Sequence, residues 1–282
     1  MKKIYLHTRD LQILGAAFVV ALVVGVILWA LPGSFASAFL IPANLLIFGL
    51  AAGYLIRRDQ AYKIYQHDPA SNYYQVEALV KLFSILKFDA PLPQFRNWAA
   101  SPDCAVELVR LVMDKKCKTI VECGSGISTL IHAQTLKQQG GGHVYSLDHD
   151  AVYAEKTRAM LRLQGLSEFA TVITAPLENA SLENRDISWY SLEAANQIPD
   201  GIDLLFVDGP PGPPSNRPDT RFPAFPALKE KFSKNVTIVM DDYIRQGEKQ
   251  VVRDWIELID HSYEKTELET EKGTCILEVT ST

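Results

Sequence analysis

Two apolar runs dominate the start of the chain. Leu11–Leu31 carries one polar interruption, Gln12, and Ala38–Ile56 carries one, Asn44. Each is long enough to cross a hydrocarbon layer as a helix, which takes about 20 residues. The link between them, Pro32-Gly33-Ser34-Phe35-Ala36-Ser37, is an uncharged turn. Neither run has the polar face that a helix on a soluble core keeps. The first also exceeds the apolar stretch of a cleaved signal peptide, although Ala36-Ser37-Ala38 offers small residues for cleavage. Lys2, Lys3 and Arg9 precede the first run, and Arg57, Arg58 and Lys63 follow the second. Basic flanks favour the cytoplasmic side. The expectation is a transmembrane helical hairpin over 1–58, two-pass in the inner (cytoplasmic) membrane, with the remainder in the cytoplasm.

Residues 59–100 read as a linker and an amphipathic helix. Val76–Phe88 sets Val76, Leu79, Val80, Phe83, Ile85 and Leu86 against Lys81 and Lys87. Its use is packing on the domain or lying on a bilayer, packing being the commoner. From 101 onward, short apolar runs alternate with helical spacings. Ser101-Pro102 suits the opening of a helix to about Met113. Strands are expected at Thr119–Cys123, His143–Leu147, Ala170–Thr174, Ile202–Val207 and Val236–Met240. Helices are expected at Ile127–Gln139, Ala151–Gln164, Ile187–Asn196, Phe222–Phe232 and Glu248–Asp260, and two closing strands at Tyr263–Glu269 and Thr274–Thr280. That alternation predicts an α/β fold, a doubly wound, mostly parallel sheet in a domain over 101–282.

Charge narrows the function. The first 58 residues hold five Lys/Arg and one Asp, leaving 23 basic and 32 acidic residues in 59–282, a net charge of −9. Phosphate neutralisation supplies most non-specific nucleic-acid affinity, so an acidic domain without a basic stripe argues against nucleic acid. Cys104, Cys117, Cys123 and Cys275 lack the spacing of a zinc site and read as unpaired buried thiols in a reducing compartment.

The first strand runs into Glu122-Cys123-Gly124-Ser125-Gly126-Ile127-Ser128 at the head of a helix. Glycines there permit a sharp turn and a close ligand, or a turn that serves structure alone. Asp148 ends the next strand, 22 residues after Gly126, where one carboxylate can accept from both hydroxyls of a ribose. Ser128 takes the third glycine position of the dinucleotide motif, which disfavours NAD. His149 reads as solvent-facing and Asp150 as a helix cap.

Glu122-x-Gly124-x-Gly126 followed by Asp148 resembles motifs I and II of class I S-adenosylmethionine-dependent methyltransferases, from about Trp98 to the end. The resemblance implies a seven-stranded Rossmann-like sheet closed by a β-hairpin. It also implies a cofactor site of Glu122, Gly124, Ser125, Gly126, Ser128, Asp148 and Asp208. There Asp148 holds the ribose and Glu122 stands near the amino-acid end.

Asp208 ends the Ile202–Val207 strand and Asp241-Asp242 ends Val236–Met240. Adjacent strand tips bring such acids together. Clustered carboxylates repel, and a divalent cation would relieve them; helix capping by Asp241 and loop ordering by Asp208 are the alternatives. The pattern resembles metal-dependent sugar O-methyltransferases, which implies Mg2+ on Asp208, Asp241 and Asp242, with Asp208 as base. The long Gly209–Arg221 insert departs from them. With Arg221-Phe222-Pro223-Ala224-Phe225-Pro226, Arg245, Glu248 and Trp98-Ala99-Ala100-Ser101-Pro102, it resembles a bacterial, family-24-like branch. Arg217, Arg221 and Arg245 are candidates to grip an anionic acceptor, or Arg245 to pair with Glu248. The Trp98 segment would be a lid or a packed turn before the core. The expected activity is methyl transfer to oxygen of a small-molecule, sugar or lipid-linked acceptor. The alternatives are a silent membrane scaffold that keeps the fold, or an aminopropyltransferase-like enzyme on the same sheet.

Overall fold

The computed structural model describes residues 69–211 and 219–280, with isolated positions before them at 19, 20, 23, 48, 49, 53 and 54. The expected hairpin therefore falls almost wholly outside the described residues, as does Arg217. Among the described residues, no helix is long and apolar enough to cross a membrane. The chain divides into two compact units, Met1–Pro69 and Ala70–Thr282. The second unit carries the sheet.

Its helices are α1 (Pro69–Ile85), α2 (Pro102–Lys115), α3 (Ile127–Gln139), α4 (Ala151–Leu163), α5 (Leu192–Asn196), α6 (Ala224–Leu228) and α7 (Gln246–Leu258). Its strands are β1 (Thr119–Cys123), β2 (His143–Asp148), β3 (Ala170–Thr174), β4 (Leu177–Leu182), β5 (Arg185–Tyr190), β6 (Ile202–Val207), β7 (Phe232–Met240), β8 (Ser262–Leu268) and β9 (Thr274–Thr280). Seven strands form one sheet in the order β3-β2-β1-β6-β7-β9-β8. The first five in that order run parallel, while β9 runs antiparallel to both its neighbours, β7 and β8. This is the doubly wound sheet with a closing hairpin that the sequence predicts.

Strand alternation splits the core into two layers. Val121, Leu205, Ile238 and Leu277 face Trp255, Phe225 and Trp189 on one side. On the other side Ile120, Val144, Leu204 and Val239 face Leu108, Leu130 and Leu161 of α2, α3 and α4. The four cysteines are free and buried, as expected, and burial pushes the Cys117 thiol up to about 12 and that of Cys275 to about 11.

Three elements differ from expectation. Ile187–Asn196 is not one helix. Its first half belongs to β5, which pairs with β4 in a hairpin apart from the main sheet. The two-residue loop Glu183-Asn184 has φ of 48° and 60°, the left-handed pair that matches hairpin twist. Ile187 and Trp189 are both buried, a period of two that belongs to a strand and not to a helix. Second, β7 begins at Phe232 rather than Val236, and the preceding helix shrinks to α6 plus a 3-10 turn over Lys229–Lys231. Prolines in that stretch remove the amide donors of a longer helix.

Third, α1 docks by a different face. Leu82 and Leu86 pack on Ala105, Val109, Ile127 and Ile131, and Gln75 donates to Asp103 at 2.7 Å. Val76, Val80, Phe83 and Ile85 point outward instead, and so do Tyr73 and Tyr74. Leucines one turn apart fit the groove between α2 and α3, which leaves the β-branched and aromatic positions on the far face.

Candidate functional site

The loops after β1, β2, β6 and β7 meet at one edge of the sheet. Backbone hydrogen bonds carry the ladder into each loop: Gly124 N–H to Leu147 at 2.9 Å, Asp208 N–H to Cys123 at 3.1 Å and Asp241 N–H to Val207 at 3.1 Å. Parallel strands with helical crossovers place ligands at this edge.

Gly124 turns with φ +107°, a region costly for any side chain. A Cβ there would also stand 3.7 Å from the Gly209 nitrogen. A Cβ at Gly126 would meet nothing within 4 Å, so the turn has open room for a ligand. Ser128 lies in the first turn of α3 and is nearly buried. Asp148, 5% exposed, accepts from the Ser125 hydroxyl and from the Asp150 amide, the latter at 3.0 Å. Ser125 also meets the Thr157 hydroxyl at 3.0 Å. A carboxylate has about four acceptor positions, so two remain for a diol. Asp150 caps α4, accepting from the amides of Val152 and Tyr153. His149 is half-buried, 3.8 Å from the Asp148 carboxylate.

Glu122 lies beneath the turn. Its side chain is wholly buried and accepts from Thr129 at 2.7 Å and Ser146 at 2.6 Å, with His132 Nδ1 at 3.2 Å. Burial would raise its carboxyl, but His132, Ser146 and Thr129 outweigh that and hold it below the usual range. The Thr129 oxygen also accepts from the Gly126 amide at 3.1 Å. Glu122 thus braces the glycine turn from inside, rather than presenting a free oxygen at the cofactor's amino-acid end.

Asp208, Asp241 and Asp242 converge as expected, with one oxygen of each within 4.8 Å of the others. Three cations stand among them. Arg221, 5% exposed, donates to Asp242 Oδ2 at 2.7 Å, to the Asp208 carbonyl at 2.7 Å and to the Asp241 carbonyl at 3.0 Å. It also lies 3.5 Å from Asp208 Oδ1. Lys272 Nζ, from the β8–β9 turn, is 3.8 Å from both Asp241 Oδ2 and Asp242 Oδ1. Arg245 pairs with Asp242 at 2.9 Å and Glu248 at 3.4 Å, the ion-pair alternative. Arg221 is therefore not available to grip an acceptor. The cation role of Lys272 had no local signal, since it lies 30 residues beyond Asp242.

Burial and the neighbouring Asp241 push the Asp208 carboxyl well up, against Arg221. Burial and Asp242 raise Asp241 to about 6, with Lys272 opposing. Neither carboxylate oxygen of Asp241 has a hydrogen-bond partner. With Arg221, Lys272 and Arg245 beside them, the three acids already face three cations, so a divalent ion would add uncompensated charge to a buried site. The residues present thus do not fit a shared divalent cation.

Beside this cluster lies the Trp98 turn. Arg96 and Asn97 have φ of 72° and 57°, and the turn closes with Ala99 N–H to Arg96 at 3.1 Å. Arg96 pairs with Glu271 at 2.7 Å, and Lys272 Nζ donates to the Ala99 carbonyl at 3.0 Å. Ala100 and Ser101 are buried, whereas Trp98 is 88% exposed.

Comparison with known proteins agrees with this geometry. Residues 121–243 match the family model described as a methyltransferase domain. No curated protein matches in sequence. Among solved structures, an O-methyltransferase from Bacillus cereus in complex with SAH superposes with a TM-score of 0.50 at 20% identity, covering 79% of this chain and 96% of that one. An O-methyltransferase of tomaymycin synthesis from Streptomyces achromogenes, in complex with SAM, gives 0.50 at 17% identity over 77% and 92%. A SAH-bound methyltransferase from Podospora anserina gives 0.51 at 15% identity over 81% and 96%. The sequence match to a methyltransferase domain spans the glycine turn, Asp148, Asp208 and the Asp241-Asp242 pair.

Proposed function

We propose that this chain transfers a methyl group from S-adenosylmethionine to an oxygen of a small-molecule, sugar or lipid-linked acceptor at the cytoplasmic face of a membrane. The observation that carries the reading is the placement of Asp208 just past the end of β6, the strand that pairs with β1 beside the glycine turn. Asp148 would accept from the ribose hydroxyls, while Gly124, Ser125 and Gly126 leave room for the rest of the cofactor. When bound, that cofactor supplies a methyl group already activated on sulfonium sulfur. Asp208 takes the proton of the acceptor hydroxyl as the new carbon–oxygen bond forms. A carboxyl raised by burial has the basicity that this step needs near neutral pH. Trp98 stands exposed beside the cluster and offers a flat apolar surface for the acceptor.

The membrane location rests on the apolar runs Leu11–Leu31 and Ala38–Ile56 and on the outward face of α1. Tyr73, Val76, Val80 and Phe83 are each at least half exposed, and an apolar stripe with aromatics suits a lipid interface. Calorimetry of the full chain in detergent tests the cofactor: S-adenosylmethionine and its demethylated product should both bind, and binding of NAD in their place would overturn the reading. A reporter fused at Thr282 should be active in the cytoplasm. Activity confined to the periplasm, or a mature chain starting near Phe39, would overturn the topology.

A further inference from the structure

We propose that Arg221 and Lys272 do for the Asp208–Asp241–Asp242 cluster what a divalent cation would do, so that the site works without metal. The inference deepens the proposed function and rests on it, because it concerns how Asp208 is held.

Three carboxylates on adjacent strand tips need positive charge nearby, since like charges at this spacing resist joint ionisation. Arg221 comes from beyond the Gly209–Arg221 insert and meets the cluster from one side. Its guanidinium bonds the Asp242 carboxylate and also the main-chain carbonyls of Asp208 and Asp241. A planar fork of donors can tie two strand ends and a carboxylate at once. Lys272 meets the cluster from the β8–β9 turn and faces Asp241 and Asp242. Its remaining donor is fixed on the Ala99 carbonyl. A six-coordinate magnesium ion takes oxygens at about 2.1 Å and usually keeps several waters. Here Asp242 Oδ2 is already bonded to Arg221, and both Asp241 and Asp242 are buried. Arg221 and Lys272 are thus positioning residues, which set the carboxylate of Asp208 without touching the transferred methyl.

The test uses the full-length protein, stripped with EDTA and titrated with Mn2+ alone while free Mn2+ is followed by electron paramagnetic resonance. The expected result is no binding tighter than about 1 mM and no change in thermal midpoint on adding EDTA. In Arg221→Met/Lys272→Met the acids keep only the part-exposed Arg245, at Asp242. That variant should gain Mn2+ binding by at least about tenfold, and the gain should vanish on adding Asp241→Asn. Should it fail to fold, Arg221→Lys takes its place, and Mn2+ should raise that variant's thermal midpoint while leaving the wild-type midpoint unmoved. One Mn2+ bound by the wild-type protein at micromolar concentration, and lost in Asp241→Asn, would overturn the proposal. S-adenosylmethionine binding, measured on the same samples, reads the methyltransferase proposal separately.

Discussion

The two halves of the site solve the problem of a buried carboxylate in opposite ways. After β1 and β2, Glu122 and Asp148 are met by the His132 ring, by hydroxyls of Thr129, Ser146 and Ser125, and by the amide of Asp150. After β6 and β7, Asp208, Asp241 and Asp242 are met by Arg221 and Lys272. Neutral donors stabilise a carboxylate without adding a charge that itself must be desolvated. Charged partners carry a desolvation cost of their own and leave the whole cluster sensitive to losing any member. On the proposed function, the first half holds a ligand of fixed shape and the second a proton whose place changes.

The largest effect expected from this contrast is on stability at the charged half. Arg221→Ala leaves the three acids facing Lys272 and the part-exposed Arg245, and should cost about 3–5 kcal/mol, the range for breaking a buried pair. Denaturant unfolding monitored by circular dichroism would show it. An effect below about 1 kcal/mol, the range of exposed pairs, would mean that the cluster is solvated. Asp148→Ala, in the neutral half, should leave stability nearer the wild type but weaken S-adenosylmethionine binding. Losing a charged acceptor is worth about 1.5–3 kcal/mol, and calorimetry reads it directly; unchanged affinity would remove Asp148 from the cofactor site.

pH should separate the halves by sign. Glu122 is held below its usual range. Its contribution is present above the unfolded value near 4.5 and is lost as pH falls through the folded one. Asp241 is raised from 3.8 to about 6. The unfolded chain gives up that proton first, so stability falls as pH rises from about 4 to about 6. In a plot of unfolding free energy against pH, Asp241→Asn should shrink the second limb, to which the raised Asp208 carboxyl also contributes, and leave the acid limb, whereas Glu122→Gln should remove the acid limb and leave the second. A shared response would show that the two halves are one electrostatic unit. The smallest effect belongs to Trp98→Ala. It should raise KM for an acceptor severalfold, as one aromatic contact worth about 0.5–1.5 kcal/mol would, with S-adenosylmethionine affinity unmoved.

The same contrast explains what is legible in the sequence. The glycine turn, Asp148, Asp208 and Asp241-Asp242 all lie within a residue or two of a strand end, so strand pattern alone places them. Short-range rules also mark the Asp150 cap and the sheet. Arg221 and Lys272 reach the site through tertiary folding, from the end of a long insert and from a turn between antiparallel strands. Nothing in their own neighbourhoods marks them as partners of those acids. Strand pattern puts Glu122 on β1 but does not show that it faces the inner side of the turn, because a period of two fixes a face and not what covers it. On α1 two apolar stripes compete, and the shape of the groove between α2 and α3 decides between them.

Gly209 joins the halves. A Cβ there would lie 2.5 Å from the Tyr190 hydroxyl and 3.1 Å from the Cys123 carbonyl oxygen, and Gly124 faces it across the same gap. The loops after β1 and β6 therefore touch backbone to backbone, with the buried Tyr190 ring closing the gap. Over the history of such a sequence, neither loop is free to lengthen or shift alone. A substitution that suits a new acceptor on the Asp208 side would also be felt at the glycine turn, so acceptor preference is expected to diversify through Trp98, which lies outside this joint.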